Sequence, residues 1–442
     1  MKGILPKMKA SDKARSILKS ALVLGLIAWA AISLARAVLQ TFSAQGGNDL
    51  YTYWYAGHFL REGKDYYRTF LDGELPAVPV RYLDRQAADL DEVLFPGLVP
   101  APASTAPVFF LLLPLACLSW NVAKVVWLLL NLALLASIPW LVIRLFGPPG
   151  WIGRREAWAL AAVLVGLTST RYAAASGQLT FLFLALMLAS VLLAGSRPWL
   201  AGILLGMALS KYSLSAGLLL LFLFLEARPR LVLSAGLVQL AGLAGLSLLS
   251  GTGIFTILQE YLQMATWHAD MEGVHLAAAL RLQGWPSLLV SLALTALVGS
   301  LLAVWRVRNG PKRFFSPLPL LARSHLVTVL ILWALLAGYH RAYDVMVLVV
   351  FFGLLLRLAR CPQGWRLSRP ARTGMLGFGV LAALLLSVPS GSLVRSLLPS
   401  GLQEVWGQAA GWTATSVICI ALAVSTWMLF RLDPQEDPPA AC

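Results

Sequence analysis

A single carboxylate, Asp49, stands at the head of an aromatic run that follows directly on the first long apolar segment: Asn48-Asp49-Leu50-Tyr51-Thr52-Tyr53-Trp54-Tyr55-Ala56-Gly57-His58-Phe59-Leu60-Arg61-Glu62-Gly63. Tyr51, Tyr55 and Phe59 recur at helical spacing with Trp54 and Leu60 beside them, which predicts an amphipathic helix with one face in the headgroup layer. A carboxylate held there is placed to act as general base on a lipid-linked substrate. The simpler reading is that Asp49 or Asn48 only caps the helix.

Other polar residues stand at the ends of apolar segments: Arg171-Tyr172, Gly177-Gln178, Lys211, and Tyr339-His340-Arg341 with Asp344. Lys211, Arg171 and Arg341 are suited to holding a phosphate leaving group. Asp49 or His340 can take the proton of an attacking hydroxyl, and Tyr51, Tyr55 and Trp267 offer faces to a sugar ring or a prenyl chain. Asp344 lies four residues after His340, on the same helical face, which is at most half of a metal site and is better read as a hydrogen-bonding pair. Asp89-Leu90-Asp91 lies well away from the aromatic helix and reads as solvated loop. No cofactor is required; a divalent ion is compatible with the outer carboxylates but not demanded by them. Singly, each group has a plain explanation. Arg171 can snorkel, Lys211 can mark a kink, His340 can end a helix, and Asp344 can pair with Arg341. Their coincidence on one face is what points to a site.

The elements that must position these groups are membrane helices. The chain has 442 residues, 59% of them hydrophobic and 12% charged, with a mean hydropathy of +0.75. Apolar runs of about twenty residues recur from end to end, so the predicted class is an all-α polytopic membrane protein. A net charge of +15 is explained by basic inner loops and anionic headgroups and does not call for nucleic acid. Cys117, Cys361, Cys419 and Cys442 are scattered and suggest neither a zinc site nor a disulfide framework. The basic N-terminus (Lys2, Lys7, Lys9, Lys13, Arg15, Lys19) precedes an apolar run too long for a cleaved signal, so 20–42 is read as a retained span.

Further spans are predicted near 121–145, 157–175, 179–195, 198–211, 213–226, 231–250, 285–305, 319–339, 342–357, 374–390 and 409–430. That makes twelve, with both termini cytoplasmic. The apolar segment 105–119 is then expected to lie on or dip into the outer surface. On this arrangement the inner segments hold 23 Lys/Arg against 6 Asp/Glu, and the outer ones 12 against 14, as the positive-inside rule favours. The stretch 198–226 is read as two short tilted helices with Lys211 at their outer turn, because a lysine at the bilayer centre costs at least about 2.5–3.5 kcal/mol. Two outer loops are expected, 43–120 (acidic at Asp84, Asp89, Asp91 and Glu92) and 251–284. A disordered cytoplasmic tail, 431–442, ends what is read as a single domain, 1–442.

In order and spacing these residues resemble the GT-C class of integral-membrane glycosyltransferases, and within it glycosyltransferase family 87. That family includes polyprenyl-phosphate-mannose-dependent mannosyltransferases and related arabinosyltransferases. The resemblance is carried by Asp49, Tyr51, Tyr53, Ala56, Leu60, Gly63 and Tyr66, and then by Pro107, Pro114, Trp127 and Asn131. Gly177-Gln178, Gly202, Gly206 and Lys211, and finally His340 with Asp344, complete it over about residues 15–360. The chain departs from the family pattern at Ala106, at Leu179-Thr180 and at Leu214. The resemblance implies a GT-C-like bundle and a polyprenyl-phosphate sugar donor entering from the bilayer. It also implies a lipid or glycan acceptor and an extracytoplasmic site in a bacterial plasma membrane. Asp49 would be the base of an inverting transfer, with His340 orienting the phosphate or sharing that role. Lys211, Arg171 and Arg341 would contact phosphate, and Gln178 and Tyr55 the sugar or acceptor. The rival class is a lipid transporter or flippase, which would place its ionisable groups near the midplane, often in two related halves. Here the groups gather at one surface and no internal repeat is found.

Overall fold

The computed structural model describes residues 5–43, 46–72, 104–269, 274–309, 318–338, 340–387 and 400–432. The acidic residues Asp84, Asp89, Asp91 and Glu92, as well as Tyr339 and the tail from Asp433, lie outside them, as does the side chain of Trp267. Among the described residues there are helices and one isolated bridge, Trp365 with Leu432, and no strand. A bilayer dictates this outcome, since a helix satisfies its own backbone polar groups where no water can.

In chain order the helices are α1 (Leu5–Thr41), α2 (Asn48–Arg61), α3 (Tyr66–Leu71), α4 (Pro107–Leu112), α5 (Trp120–Phe146), α6 (Arg154–Gly166), α7 (Thr168–Ala175), α8 (Thr180–Leu193) and α9 (Pro198–Ala208). They continue with α10 (Tyr212–Leu220), α11 (Pro229–Ser250), α12 (Ile254–Ala269), α13 (Leu276–Ala279), α14 (Trp285–Arg308), α15 (Leu320–Ala337), α16 (Val349–Arg360), α17 (Arg369–Ser387) and α18 (Ser400–Arg431). Nine helical stretches among the described residues are long and apolar enough to cross a membrane, or up to ten if the bent pair α7–α8 counts as one. The expected count of twelve spans is therefore not confirmed among the described residues. The predicted span 157–175 is broken at Leu167 into α6 and α7, and α8 is only 14 residues long.

The stretch Pro198–Leu225 has the length and apolarity of one 28-residue span, yet its contacts show a hairpin. A Cβ on Gly202 would meet the Leu231 carbonyl oxygen and the Ser234 side chain. Glu226 lies only five residues before Leu231, a reach of at most about 18 Å, whereas 24 residues of straight helix would separate Gly202 from Glu226 by about 36 Å. The chain therefore turns back at a 3-10 segment, Leu209–Lys211. Its descending arm, α10, runs antiparallel to α15: Ser213 meets Gly338, and Gly217 meets Leu330 and Trp333. Packing of α9 on α11 is close because Gly202 and Gly206 present no side chain, as in small-residue contacts between membrane helices. The short-hairpin expectation, with Lys211 at the turn, is what these contacts describe.

One end of the bundle is basic. There Glu226, which is 1% exposed, is gripped by Arg228 and Arg323, Arg360 pairs with Glu156, and the buried Arg357 guanidinium stacks over Trp151. The opposite end carries a second, aromatic core formed by α2–α5, α8, α11 and α12. Helix α15 runs through the centre, with 83% of its span buried, whereas α14 is 11% buried and turns its leucines to lipid. The segment Pro107–Cys117 is too short to cross. Its two ends stay at the aromatic end, where Thr105 N–H donates to Ser210 O and Trp54 Nε1 donates to Leu118 O.

Two expectations are corrected here. Helix α2 does not lie in the headgroup layer with an exposed aromatic face. Tyr51, Trp54, Tyr55, Phe59 and Leu60 are buried against α4, the 3-10 turn that follows it and α5, because so many large rings bury more apolar area in a packed cluster than on a surface. Tyr55 stacks on Tyr51 and meets the edge of Phe59. The cysteine reading also changes: Cys361 is disulfide-bonded, while Cys117 and Cys419 are free.

Candidate functional site

Four turns at the aromatic end bring the polar residues together. The first joins α7 to α8, which meet at 111°. Gly177 makes that angle with φ +71°, a conformation that penalises any side chain, and a Cβ there would lie 2.8 Å from Leu50 Cβ. Trp127 Nε1 donates to the Gly177 carbonyl at 2.8 Å and pins the turn to α5. A Gly177→Ala protein is expected to lose about 1–2 kcal/mol for the left-handed backbone alone. It should also displace the head of α2, giving a lower melting temperature together with slower turnover.

The second turn is the head of α2. The Asp49 and Leu50 N–H groups both donate to Ser176 O, at 2.9 and 3.3 Å, so α2 starts on the end of α7. Gly47 is the N-cap residue and has no side chain to cap with, while Asn48 Oδ1 accepts from the Asp49 N–H at 2.9 Å. The capping reading of Asp49 therefore fails: its carboxylate is hydrogen-bonded by Gln178 and, in competition with the Tyr172 carbonyl, by Ser176. Enclosure by the surrounding protein is the largest influence on this carboxyl and pushes its pKa up from the ordinary aspartate value, while Gln178, Ser176, Arg341 and Lys211 pull it down. A helix N-terminus favours the carboxylate form as well.

The third and fourth turns meet face to face. Lys211, where α9 gives way to α10, extends its ammonium to Asp344 Oδ1 at 2.5 Å and to Thr180 Oγ1 at 3.2 Å. Thr180 in turn donates to the same Asp344 oxygen at 2.6 Å. Asp344 sits in the 3-10 turn Ala342–Leu348 that follows α15. Its second oxygen accepts from His340 Nδ1 at 3.0 Å, and His340 Nε2 faces the Ser213 carbonyl at 3.3 Å. His340 is fully buried and Asp344 is 1% exposed. A neutral imidazole can donate to only one of these two acceptors. Both ring nitrogens are engaged, so Asp49 is the better placed of the two candidate bases.

The structure thus brings Asp49, Gln178, Lys211, His340 and Asp344 together, with Arg341 within electrostatic reach of Asp49. Asp344 pairs across helices with Lys211, not locally with Arg341. Arg171 does not join the set: its guanidinium stacks over Tyr172 at 4.9 Å and lines a separate cleft with Arg36. Tyr55 belongs to the aromatic core. Thr180 and Ser176 were missed in the sequence, although each adjoins the Gly177-Gln178 pair that was singled out. His275 was missed too: it is 4% exposed at the start of α13, and burial with the nearby His340 lowers its pKa to about 4. Nothing in its local sequence marks it. Among the described residues, no three His, Cys, Asp or Glu side chains gather as a metal site.

In chemical terms the site offers one carboxylate of raised basicity, influenced by the Gln178 amide and within electrostatic reach of an ammonium and a guanidinium. Such a set can take a proton and stabilise an anionic leaving group at the same time. No curated protein and no solved structure shows significant similarity to this chain. A family model does match, over residues 106–389. That stretch begins after α2 and so leaves Asp49 outside it, but it takes in Gln178, Lys211, His340, Arg341 and Asp344 and covers well over half of the sequence. On that match the chain belongs to glycosyltransferase family 87.

Proposed function

We propose that this membrane glycosyltransferase moves a single sugar, mannose or a similar one, from a polyprenyl-phosphate donor to a lipid or glycan acceptor. Asp49 takes the proton of the acceptor hydroxyl as its oxygen attacks the anomeric carbon. The bond from that carbon to the phosphate oxygen breaks, and polyprenyl phosphate leaves with the electron pair. A single displacement inverts the anomeric configuration. Lys211 and Arg341 offset the charge that develops on the leaving phosphate. Asp344 holds Lys211 and His340 in place, and Gln178 fixes the rotamer of Asp49. The observation that carries this reading is Asp49 at the head of α2, bonded through its backbone to Ser176 O beside the Gly177-Gln178 turn, within electrostatic reach of Arg341 and Lys211.

Sidedness follows from charge. The end with Arg154, Arg155, Arg228, Arg230, Arg360 and Arg369 is the cytoplasmic one by the positive-inside rule. The rule thereby supports a site on the extracytoplasmic face.

The reading is tested by incubating the purified protein in detergent with a panel of polyprenyl-phosphate sugars and measuring release of polyprenyl phosphate. Turnover in detergent is expected; activity only in sealed vesicles would instead identify a transporter. The pH profile is a second check. The base works only when deprotonated, and enclosure raises the Asp49 pKa. Activity should therefore rise with pH along an acid limb centred above about 3.9, the ordinary aspartate value. A flat profile down to pH 4 would remove Asp49 from the role.

A further inference from the structure

On the flank of the bundle, α1, α7 and α17 line a narrow, partly open cleft, with Trp29, Ser33, Arg36, Thr168, Arg171 and Ser387 around it. Arg171 is 5% exposed, yet its Nε and one terminal nitrogen are buried with no hydrogen-bond partner. Guanidinium donors buried without hydrogen bonds are costly, and these two are free to bond an anion that reaches them. The Arg36 side chain lines the same space. None of the described lining residues is acidic, so two guanidinium groups face one small volume without a counter-charge. That is a site for an anion with several acceptor oxygens.

The location narrows the ligand. Arg36 lies five residues before Thr41, where α1's membrane span ends, about 7.5 Å below that end. From there the long Arg36 side chain can snorkel toward the lipid phosphates. The mouth of the cleft is on the lipid side, since Ile32, another lining residue, is 54% exposed. The floor is closed by Trp29, whose Nε1 donates to Gly166 O at 3.1 Å. We propose that this cleft binds the phosphate of an anionic phospholipid through Arg36 and Arg171, apart from the Lys211–Asp344 centre. The site does not rest on the proposed transfer reaction. It adjoins that centre through α7, because the helix that carries Arg171 ends at Ser176, onto which Asp49 is bonded.

The test reads binding and not turnover. Wild-type protein in phosphatidylcholine nanodiscs is titrated with phosphatidylglycerol, and retained lipid is counted by native mass spectrometry. A parallel titration uses inorganic phosphate, with thermal stability as readout. Wild type is expected to retain phosphatidylglycerol over phosphatidylcholine. Arg36→Gln and Arg171→Lys should each weaken that retention by about tenfold or more, the fold-change of one lost charged hydrogen bond. Stabilisation by inorganic phosphate to the same extent would assign the cleft to a soluble anion and overturn the lipid. Retention unchanged in Arg36→Gln, whose side chain is only half-buried and whose loss leaves the core intact, would overturn the site.

Discussion

Asp49→Asn is expected to remove about 10²–10⁴-fold of sugar transfer, the range that a positioned general base contributes, while leaving the protein folded. Asparagine is nearly isosteric and keeps an oxygen for the Gln178 side chain. The backbone bonds from Asp49 and Leu50 to Ser176 O do not involve the side chain at all. The variant should therefore show an unchanged melting temperature and unchanged donor binding, with the loss confined to turnover. Release of polyprenyl phosphate at a normal rate by a folded Asp49→Asn protein would end the base assignment. A parallel loss of donor affinity would indicate instead that Asp49 positions substrate.

Asp344→Asn is expected to be more damaging to the molecule as a whole. The carboxylate is 1% exposed and receives Lys211, Thr180 and His340 at once. Neutralising it strands the Lys211 ammonium in a buried setting, and removing one partner of such a pair typically costs about 3–5 kcal/mol. Turnover should fall with stability. The double variant Lys211→Met/Asp344→Asn separates the two effects. With both charges gone, most of the lost stability should return, because a buried ion pair replaced by apolar groups is often neutral. Activity should not return, because the phosphate has lost its cation. A double variant as unstable as Asp344→Asn alone would show that the pair is not coupled in the way its geometry indicates.

Much of this was legible in the order of residues, for reasons that can be named. Apolar runs of bilayer length announce membrane helices whatever their neighbours, since every backbone amide there must be satisfied within its own segment. The two short apolar stretches around Lys211 predicted a hairpin because a lysine at mid-bilayer is too costly, and that turn is where the contacts put it. Asp49, Gln178, His340 and Asp344 stood out as polar groups at segment ends, and the family match over residues 106–389 takes in all of them but Asp49.

What was not legible lay between segments. That Asp344 would choose Lys211 over Arg341, three residues away, depends on which helix faces it across the bundle. The same is true of Thr180, an ordinary helix-start threonine until α8 is set against α9. The aromatic face of α2 looked like a surface face because periodicity reports that a stripe is buried but not in what. Only the arrival of α4 and α5 settled that it was protein. Arg171 looked equivalent to Lys211 on paper, and the rotation of α7 alone sent its side chain to the opposite flank beside Arg36. Composition and spacing act within one helix and its solvent, so they established the membrane class and many of the segment ends. Pairing acts between helices distant in the chain, so the choice of partner, and with it the division of two arginines and a lysine between two sites, belonged to the packed molecule.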